Sequence, residues 1–457
     1  MPLQAIDPTT GELIREVAPA TREEAEGILA AAAGAYPAWR AASFEERAAV
    51  LRAAAQAMRD DVDALAMLMT EEMGKPIREA RAEVQKAAWS AEHYAGHAEA
   101  YLAREVIQSD ATLSYVQHLP LGVILGILPW NAPFWLAFRF CAPALMAGNT
   151  CLMKHDPHVP GCAAAIGEVF KKAGAPEGIF QNLPLETADV EAVIRDERVR
   201  AVSFTGSDRG GAAVAAIAAS EIKPAVLELG GSDPCIVLAD ADLDAAADVI
   251  TLSRIINAGQ SCIAAKRILV EASVHDALVE RLLARLSKLI LGDPREEKTD
   301  VGPIAREDLR LNLQRQVSAS IQAGAECLLG GALRDGPGYF YPVTLLTEVT
   351  PDMAVCREET FGPVMVVQRV DDEAQALRLA NDTRYGLAAS VWSTPERGEA
   401  IAARIEAGQV AVNGIVKTDP RLPSGGIKSS GYGRELGPHG IREFVNAQQI
   451  WVGPKCE

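Results

Sequence analysis

Apolar positions flank the turn-forming run DPTTG on both sides, so residues 1–20 read as a short hairpin. From 21 to 70 the spacing becomes helical: Ala48, Leu51, Ala55 and Met58 fall on one face of an Ala-rich stretch, which predicts packing helices. Gly74 and Pro76 interrupt the pattern in EEMGKPIREA, and a long helix then runs to about Leu102. ATLSYVQHLP alternates polar and apolar residues and reads as an exposed strand.

From Gly122 strands and helices take turns. GVILGIL precedes the helix FWLAFRFCAPALMAG, and TCLMKH precedes the helix GCAAAIGEVFKKAG. RVRAVSFTG leads to an Ala-rich helix at 213–219 and then to KPAVLELGG. Such alternation predicts a parallel sheet with helices on both faces. Beyond Gly231 a second α/β series begins, with a helix around 242–258, the strand AAKRILVE, a helix at 274–290 and, later, the strand VMVVQRV. The change of series near Glu228 marks a domain boundary. No Ser- or Pro-rich linker separates the two series, so the domains are expected to pack tightly. Apart from Ala enrichment there is no repeat or low-complexity tract.

A chain of 457 residues, 49% hydrophobic, has room for two or three domains with full cores. Its net charge of −17 argues against general nucleic-acid binding and against anionic membranes. The eight cysteines (141, 151, 162, 235, 262, 327, 356 and 456) form no CxxC pair and no metal-type cluster. They read as reduced thiols of a cytoplasmic protein without a metal centre. MPLQAIDPTTGELI lacks the basic and apolar regions of a secretory signal, and LGVILGIL is too short to span a bilayer.

The candidate chemistry centres on Cys262, in IINAGQSCIAAKR. This cysteine stands among small and polar residues, a few positions before Lys266 and Arg267, whereas a structural cysteine usually sits among Val, Ile and Leu. Taken alone it is still compatible with an inert thiol. Upstream, the run Ala225-Val226-Leu227 delivers Glu228 to a strand end before Gly230-Gly231, a common way to present a general base. Asn131 follows another apolar strand, where a side-chain amide can donate to a developing oxyanion. Nucleophile, base and oxyanion donor are the parts of a thiol-based acyl-transfer or aldehyde-oxidising site. The strand AVSF leads into Thr205-Gly206-Ser207-Asp208-Arg209-Gly210-Gly211 and a helix, a turn able to approach a pyrophosphate. Its spacing is not GxGxxG, and an ordinary loop stays open as the alternative. Lys154, at the end of TCLMK, is on its own as compatible with a solvated charge.

Pro133 suits a first helical turn, which puts Trp135 and Arg139 on one face beginning beside Asn131. Among Phe134, Leu136, Phe138 and Phe140, a guanidinium is out of place as a solvated charge. Two readings follow. Arg139 pairs with an acidic residue across a domain or subunit contact, or it anchors the far carboxylate of a short ω-oxo acid. In the second reading Trp135 lines the tunnel, and Ser261 and Thr418 add hydroxyl donors.

PWNAPFW, SFTGS, LELGG, GQSC, EETFGP and GGIKSSGYGRE stand in the order found in the aldehyde dehydrogenase superfamily, which the chain resembles from DPTTGELI to REFVNAQQIWV. Within it, MKHDPHVP, LELGGSDP and DPRLPSGGIKSSGYGREL look most like the short bacterial succinate-semialdehyde dehydrogenases. The resemblance implies an α/β, aldehyde dehydrogenase-like fold. A Rossmann-type dinucleotide-binding domain would take 1–99 and 119–228, and an α/β catalytic domain 229–427. A β oligomerisation arm would take 100–118 and 428–457, in a homodimer or homotetramer. The resemblance also makes Cys262 the nucleophile, Glu228 the base and Asn131 the oxyanion donor. A variant fingerprint falls on Gly206, Ser207 and Gly211. Lys154 would reach the adenine ribose and Glu358 the nicotinamide ribose, with Phe361 packing near the nicotinamide and Trp130 and Leu229 as cofactor neighbours.

The implied reaction oxidises an aldehyde, succinate semialdehyde foremost, through a thiohemiacetal and a thioester. Another small aliphatic or ω-oxo aldehyde is the alternative substrate. A CoA-acylating relative generally lacks the base that Glu228 supplies. A non-catalytic relative would not be expected to keep Cys262, Glu228, Asn131 and Lys154 together. The cofactor expectation is NAD, with NADP possible: Pro157 stands where relatives carry a Glu that accepts the 2′-hydroxyl, and Asp156 would repel a 2′-phosphate, while His155 and His158 conflict with it in sign. Ser424 departs from the Phe of many relatives and leaves the pocket shape open.

Overall fold

The structure, a computed structural model, describes residues 2–453; Cys456 and the end of the expected arm lie outside the described residues. Strands β1 (Leu3–Asp7) and β2 (Glu12–Val17) pair antiparallel, as the DPTTG turn between apolar flanks predicts. Four helices follow: α1 (Arg22–Ala41), α2 (Phe44–Asp60), α3 (Val62–Met73) and α4 (Ile77–Tyr101). Thr21 and Ser43 start the first two through capping boxes with Glu24 and Glu46. Gly74 ends α3 in the left-handed conformation, and α4 begins directly after Pro76.

After β3 (Glu105–Val106) and β4 (Leu113–Pro120) comes the first α/β series. It runs β5 (Val123–Leu128), α5 (Pro133–Met146), β6 (Thr150–His155), α6 (Pro160–Lys172), β7 (Phe180–Asn182), α7 (Val190–Arg195), β8 (Val199–Thr205), α8 (Asp208–Ser220) and β9 (Ala225–Glu228). The strands lie in the order β9-β8-β5-β6-β7, all parallel. One face buries Ile124 and Leu128 against a core that includes Met58, Tyr94, Phe138 and Phe140; the other buries Leu125 and Val202 with Leu29 and Val214. The alternation along each strand thus feeds two cores.

The second series runs β10 (Pro234–Val237), α9 (Leu243–Ile255), β11 (Arg267–Glu271), α10 (His275–Leu286), α11 (Glu307–Gln322), β12 (Glu326–Leu329), β13 (Thr344–Thr347), α12 (Ala354–Arg357), β14 (Val364–Val370), α13 (Glu373–Asn381), β15 (Tyr385–Gly386), β16 (Ala388–Trp392), α14 (Pro395–Ala402) and β17 (Gln409–Val412). Its seven-stranded sheet has the order β12-β13-β14-β11-β10-β16-β17, and only β12 is antiparallel to its neighbour. Here Cys235, Val237 and Ile268 face one core while Ile236 and Leu269 face another.

The chain then returns through β18 (Ile427–Lys428), β19 (Gly431–Tyr432), α15 (Gly437–Arg442) and β20 (Val445–Val452). β19 adds an antiparallel edge to the first sheet beside β9, and only β20 joins β4 and β3 in a separate sheet. Within 428–457, β20 pairs with β4, and the Gly-rich run before α15 folds back against Glu228.

Three helix ends differ most from the sequence reading. The Ala-rich helix at 213–219 starts earlier, at Asp208, because Ser207 caps it by accepting from the Gly210 N–H. The helix expected at 274–290 ends at Leu286. The helix around 242–258 stops at Ile255 and gives way to a 3-10 turn, Ile256–Gly259. Among the described residues no helix is long and apolar enough to cross a membrane.

Candidate active site

The turn after α9 is strained in a way that serves a site. Asn257, Ala258 and Gly259 are consecutively left-handed, with φ of 55°, 52° and 75°. Two of the three carry a side chain, so the surroundings must hold them there. Glu79 accepts from the Asn257 N–H at 2.6 Å, and the Asn257 side chain donates to Asn131 O at 2.8 Å and Gln260 O at 3.2 Å. Fully buried Arg254 donates to Gly259 O at 3.2 Å and Thr360 O at 2.9 Å, and also to Gly362 O. Burial pushes Arg254 down to about 10, which still leaves it charged. A β-carbon at Gly259 would meet Gly362 O at 2.4 Å, so only glycine fits that crossing.

This turn brings Cys262 to a cavity of about 450 Å³, which Asn131, Trp135, Arg139, Glu228, Ser261, Thr418 and Ser424 also line. Asn131 comes from the end of β5, Glu228 from the end of β9, and Trp135 and Arg139 from α5. Gly231 gives the cysteine loop room: a β-carbon there would lie 2.9 Å from Cys262 O. Lys266, fully buried, donates to Cys262 O at 2.5 Å and to Ser261 O at 3.1 Å, and pairs with Glu359 at 3.4 Å. The Asn131 amide donates to Gln260 O at 3.2 Å, which leaves its second N–H for another acceptor.

Burial pushes the Cys262 thiol up to about 12, against the pull of Lys266 and Arg139. At rest it is therefore a thiol that needs a base. Burial also pushes the Glu228 carboxyl up to about 7; Arg139 opposes the rise and Glu435 adds to it. A carboxyl poised there exchanges protons near neutral pH. Its Oε1 has no hydrogen-bond partner among the described residues. Gly425 leaves it room, since a β-carbon at that position would lie 2.8 Å from Oε1.

Arg139 lines the cavity, but its guanidinium is already engaged. Nη2 pairs with Glu228 Oε2 at 2.8 Å, and Nε donates to the Glu435 carboxylate. Burial would lower its pKa, but Glu435 and Glu228 hold it raised. As an anchor, Arg139 would be shared: a substrate carboxylate would have to displace or join two carboxylates already there. These ion pairs belong to the first of the two readings in the sequence, while the guanidinium still lines the cavity that the second requires. Ser424 is buried, and its backbone N–H donates to Glu435 O at 2.7 Å, so the loop that lacks an aromatic there positions the second carboxylate.

Lys86 does not stand out in the sequence. It projects from α4 into the same cavity, with its Nζ 4.1 Å from the centre of the Trp135 ring and donating to Thr418 Oγ1 at 2.7 Å. The available signal is a lysine beside Val84, Ala87 and Ala88, all buried, on an Ala-rich helix. Glu435 stands within the GGIKSSGYGRE motif, but nothing local to it points to Arg139.

A second groove runs beside α8, lined by Ala212, Ala215, Leu227 and Leu229 among others. Gly206 N donates to Glu228 O at 3.0 Å, which ties the Gly-rich turn to the end of β9. A β-carbon at Gly211 would lie 2.5 Å from Leu229, so glycine lets α8 close on β9. Asp208, at the start of α8, is offset by Arg384 at 2.5 Å. Lys154, at the end of β6, is buried, its pKa is lowered by burial, and its amino group has no hydrogen bond among the described residues. Trp130 and Phe361 meet edge-on at 5.8 Å. Glu358 is exposed enough to take a ligand and is held by Arg315 (Nη1, 3.2 Å) and Gln316 (3.0 Å). A helix N-terminus, an orphaned buried amine and an aromatic pair fit a nicotinamide dinucleotide.

The turn after β6 holds the residues on which the NAD expectation rests. Asp156 accepts from His158 at 2.6 Å; burial alone would raise its carboxyl, but that hydrogen bond carries it net below its ordinary value. Its charge is thus directed at His158. His155, pushed down to about 4 by burial, is neutral at neutral pH. Its Nδ1 accepts from the Asp156 N–H at 2.9 Å, so Nε2 carries the proton toward Pro133 O at 3.2 Å.

Residues 1–450 match the family model described as "Aldehyde dehydrogenase family". A Synechocystis protein named "Probable succinate-semialdehyde dehydrogenase", NADP(+), is 48% identical over 453 residues, 99% of this chain and 100% of its own. A Mycobacterium tuberculosis (strain H37Rv) protein named succinate-semialdehyde dehydrogenase, NADP(+), 1 is 45% identical over 456 residues, again 99% and 100%. Among solved structures, the succinic semialdehyde dehydrogenase of Streptococcus pyogenes in complex with NADP+ superposes with a TM-score of 0.97 at 36% identity, covering 99% of this chain and 100% of that one.

Proposed function

The chain belongs to the aldehyde dehydrogenase family, and on that premise we propose that it oxidises succinate semialdehyde to the dicarboxylic acid with NADP. The observation that carries the chemistry is the Cys262 thiol and the Glu228 carboxyl facing one cavity beside the Asn131 amide, with burial raising the pKa of both acids. Ionised Glu228 takes the Cys262 proton, and the thiolate adds to the aldehyde carbon to form a thiohemiacetal. Asn131 and the Cys262 N–H hold its oxyanion; one such donor contributes about 3 kcal/mol. A bound nicotinamide dinucleotide supplies the hydride acceptor. The Cys262 thioester is then attacked by water that Glu228 deprotonates, which favours hydrolysis over transfer to CoA.

Lys154, Gly206, Ser207, Gly211 and Glu358 would hold the dinucleotide, with Trp130, Leu229 and Phe361 packed around it. NADP is favoured because Pro157 offers no acceptor for a 2′-hydroxyl. The relatives' names point the same way. We assign dinucleotide binding to 1–99 and 119–228 and catalysis to 229–427. The sheet of β3, β4 and β20, which exposes Val106, Leu113 and Trp451, supports a contact with a second copy in a homodimer or homotetramer. The described cysteines are all free, in keeping with a cytoplasmic setting.

The test is NADPH formation by the purified protein with succinate semialdehyde, with and without CoA, beside Cys262→Ala. Stoichiometric NADPH and free acid, indifferent to CoA and absent in a variant that still binds NADP, are expected. Substantial oxidation by Cys262→Ala would sink the mechanism.

A further inference from the structure

We infer that Lys86 receives the far carboxylate of the substrate, with Thr418 as its second donor, and so sets the preference for an oxo acid over a neutral aldehyde. The inference rests on the substrate proposed above and names the group that recognises it.

The argument is one of charge. Each carboxylate near Lys86 already has a partner of its own. Glu83 pairs with Lys75 and accepts from the N–H groups of Phe134 and Trp135 at 3.0 and 3.2 Å. Glu79, which also lines the cavity, accepts from the Asn257 N–H at 2.6 Å. Asp419 pairs with Arg421 at 2.6 Å. Glu228 and Glu435 share Arg139. Among the described residues Lys86 has no ion pair, only the Trp135 ring and the Thr418 hydroxyl. A ring face and a hydroxyl steady an ammonium, but they bring no counter-charge. A largely buried ammonium without one is unfavourable, and a substrate carboxylate entering the cavity would supply it. Thr418 spends a lone pair on Lys86, so its own O–H proton remains to donate to the same carboxylate. Trp135 closes the side beneath Lys86, so the anion is met from the cavity that also holds Cys262.

The Lys86 ammonium is pushed down to about 8, by burial first and then by Arg139, with Glu83 and Asp419 opposing and Lys417 adding to the fall. It therefore loses its charge as pH rises, and the preference for the acid should fade through about pH 8, after Glu79 and Glu228 in the same cavity, both pushed up to about 7 by burial, have ionised.

The experiment compares kcat/KM for succinate semialdehyde and for butanal, equal in carbon count but lacking the carboxylate, in wild type, Lys86→Met and Lys86→Arg across pH. Taking the ratio of the two substrates cancels the catalytic roles of Cys262 and Glu228, and comparison with Lys86→Arg separates the Lys86 titration from the ionisation of Glu79 and Glu228. Lys86→Met should lower the acid-to-butanal ratio by about 30-fold or more, mainly through KM. The wild-type ratio should decline through about pH 8, while Lys86→Arg keeps a preference that no longer declines there. Equal losses for both aldehydes, or a wild-type ratio flat across that range, would make Lys86 structural and overturn the inference. A wild type that prefers the acid, with the preference intact in Lys86→Met, overturns the role of Lys86 alone. A wild type with no preference overturns the proposed substrate as well. If Lys86→Met does not fold, the Arg variant and the wild-type pH series decide.

Discussion

Replacing Arg139 by Met keeps much of the side-chain volume and removes the cation that Glu228 and Glu435 share. At the Nη2–Oε2 separation of 2.8 Å and an effective dielectric constant of about 20, the lost attraction to Glu228 is about 6 kcal/mol before any relaxation. Breaking a buried pair by removing one partner typically costs about 3–5 kcal/mol, or about 2–4 pKa units on the surviving carboxyl. Glu228 stands at about 7 with Arg139 present, so the variant should carry it at least about two units higher. Only the ionised carboxylate acts as base, so the limb of thioester hydrolysis that rises through about pH 7 should move by that much toward alkali. Stability follows the same sign. A raised carboxyl keeps its proton in the folded state while the unfolded chain loses it, so stability falls as pH climbs from about 4.5 to the folded pKa. Raising that pKa extends the fall past neutrality, and the variant should lose most relative to wild type above about pH 7. Single-turnover hydrolysis across pH, with urea unfolding at about pH 6 and about pH 9, measures both. Because Arg139 acts through Glu228, succinate semialdehyde and butanal should suffer alike. A limb that stays put, or a loss confined to the acid, would refute the reasoning and restore Arg139 as a substrate anchor.

Glu228→Gln should release a single rapid burst of NADPH and then stall at the thioester, since hydride leaves before the water that Glu228 activates attacks; slow steady turnover without a burst would place Glu228 mainly in thiol activation. Pro157→Glu should lower kcat/KM for NADP relative to NAD by about tenfold or more, because it adds the 2′-hydroxyl acceptor that this turn lacks and sets a negative charge against a 2′-phosphate. An unchanged ratio would mean that position 157 does not face the adenine ribose.

The sequence by itself determined what depends on neighbours along the chain. The two alternating series, the capped helices, Glu228 at a strand end and Cys262 among small residues all follow from periodicity, capping and turn chemistry over a few positions. Two local features escape even that. The Gly-rich turn hides the first turn of α8, and the 3-10 turn with left-handed Asn257 and Ala258 is held by Glu79 and Arg254 from elsewhere in the fold. Only the tertiary structure decided how the charges are shared. Arg139 meets Glu435 across 296 positions and Lys86 meets Thr418 across 332, and no pattern along one chain announces such pairs. The same holds for the Cys262 thiol: Lys266 follows it by four positions, yet burial outweighs the pull of that ammonium. Burial and ion pairing are sums over everything that packs around a group, so they exist only once the two sheets and the returning C-terminal strands have closed around Glu228.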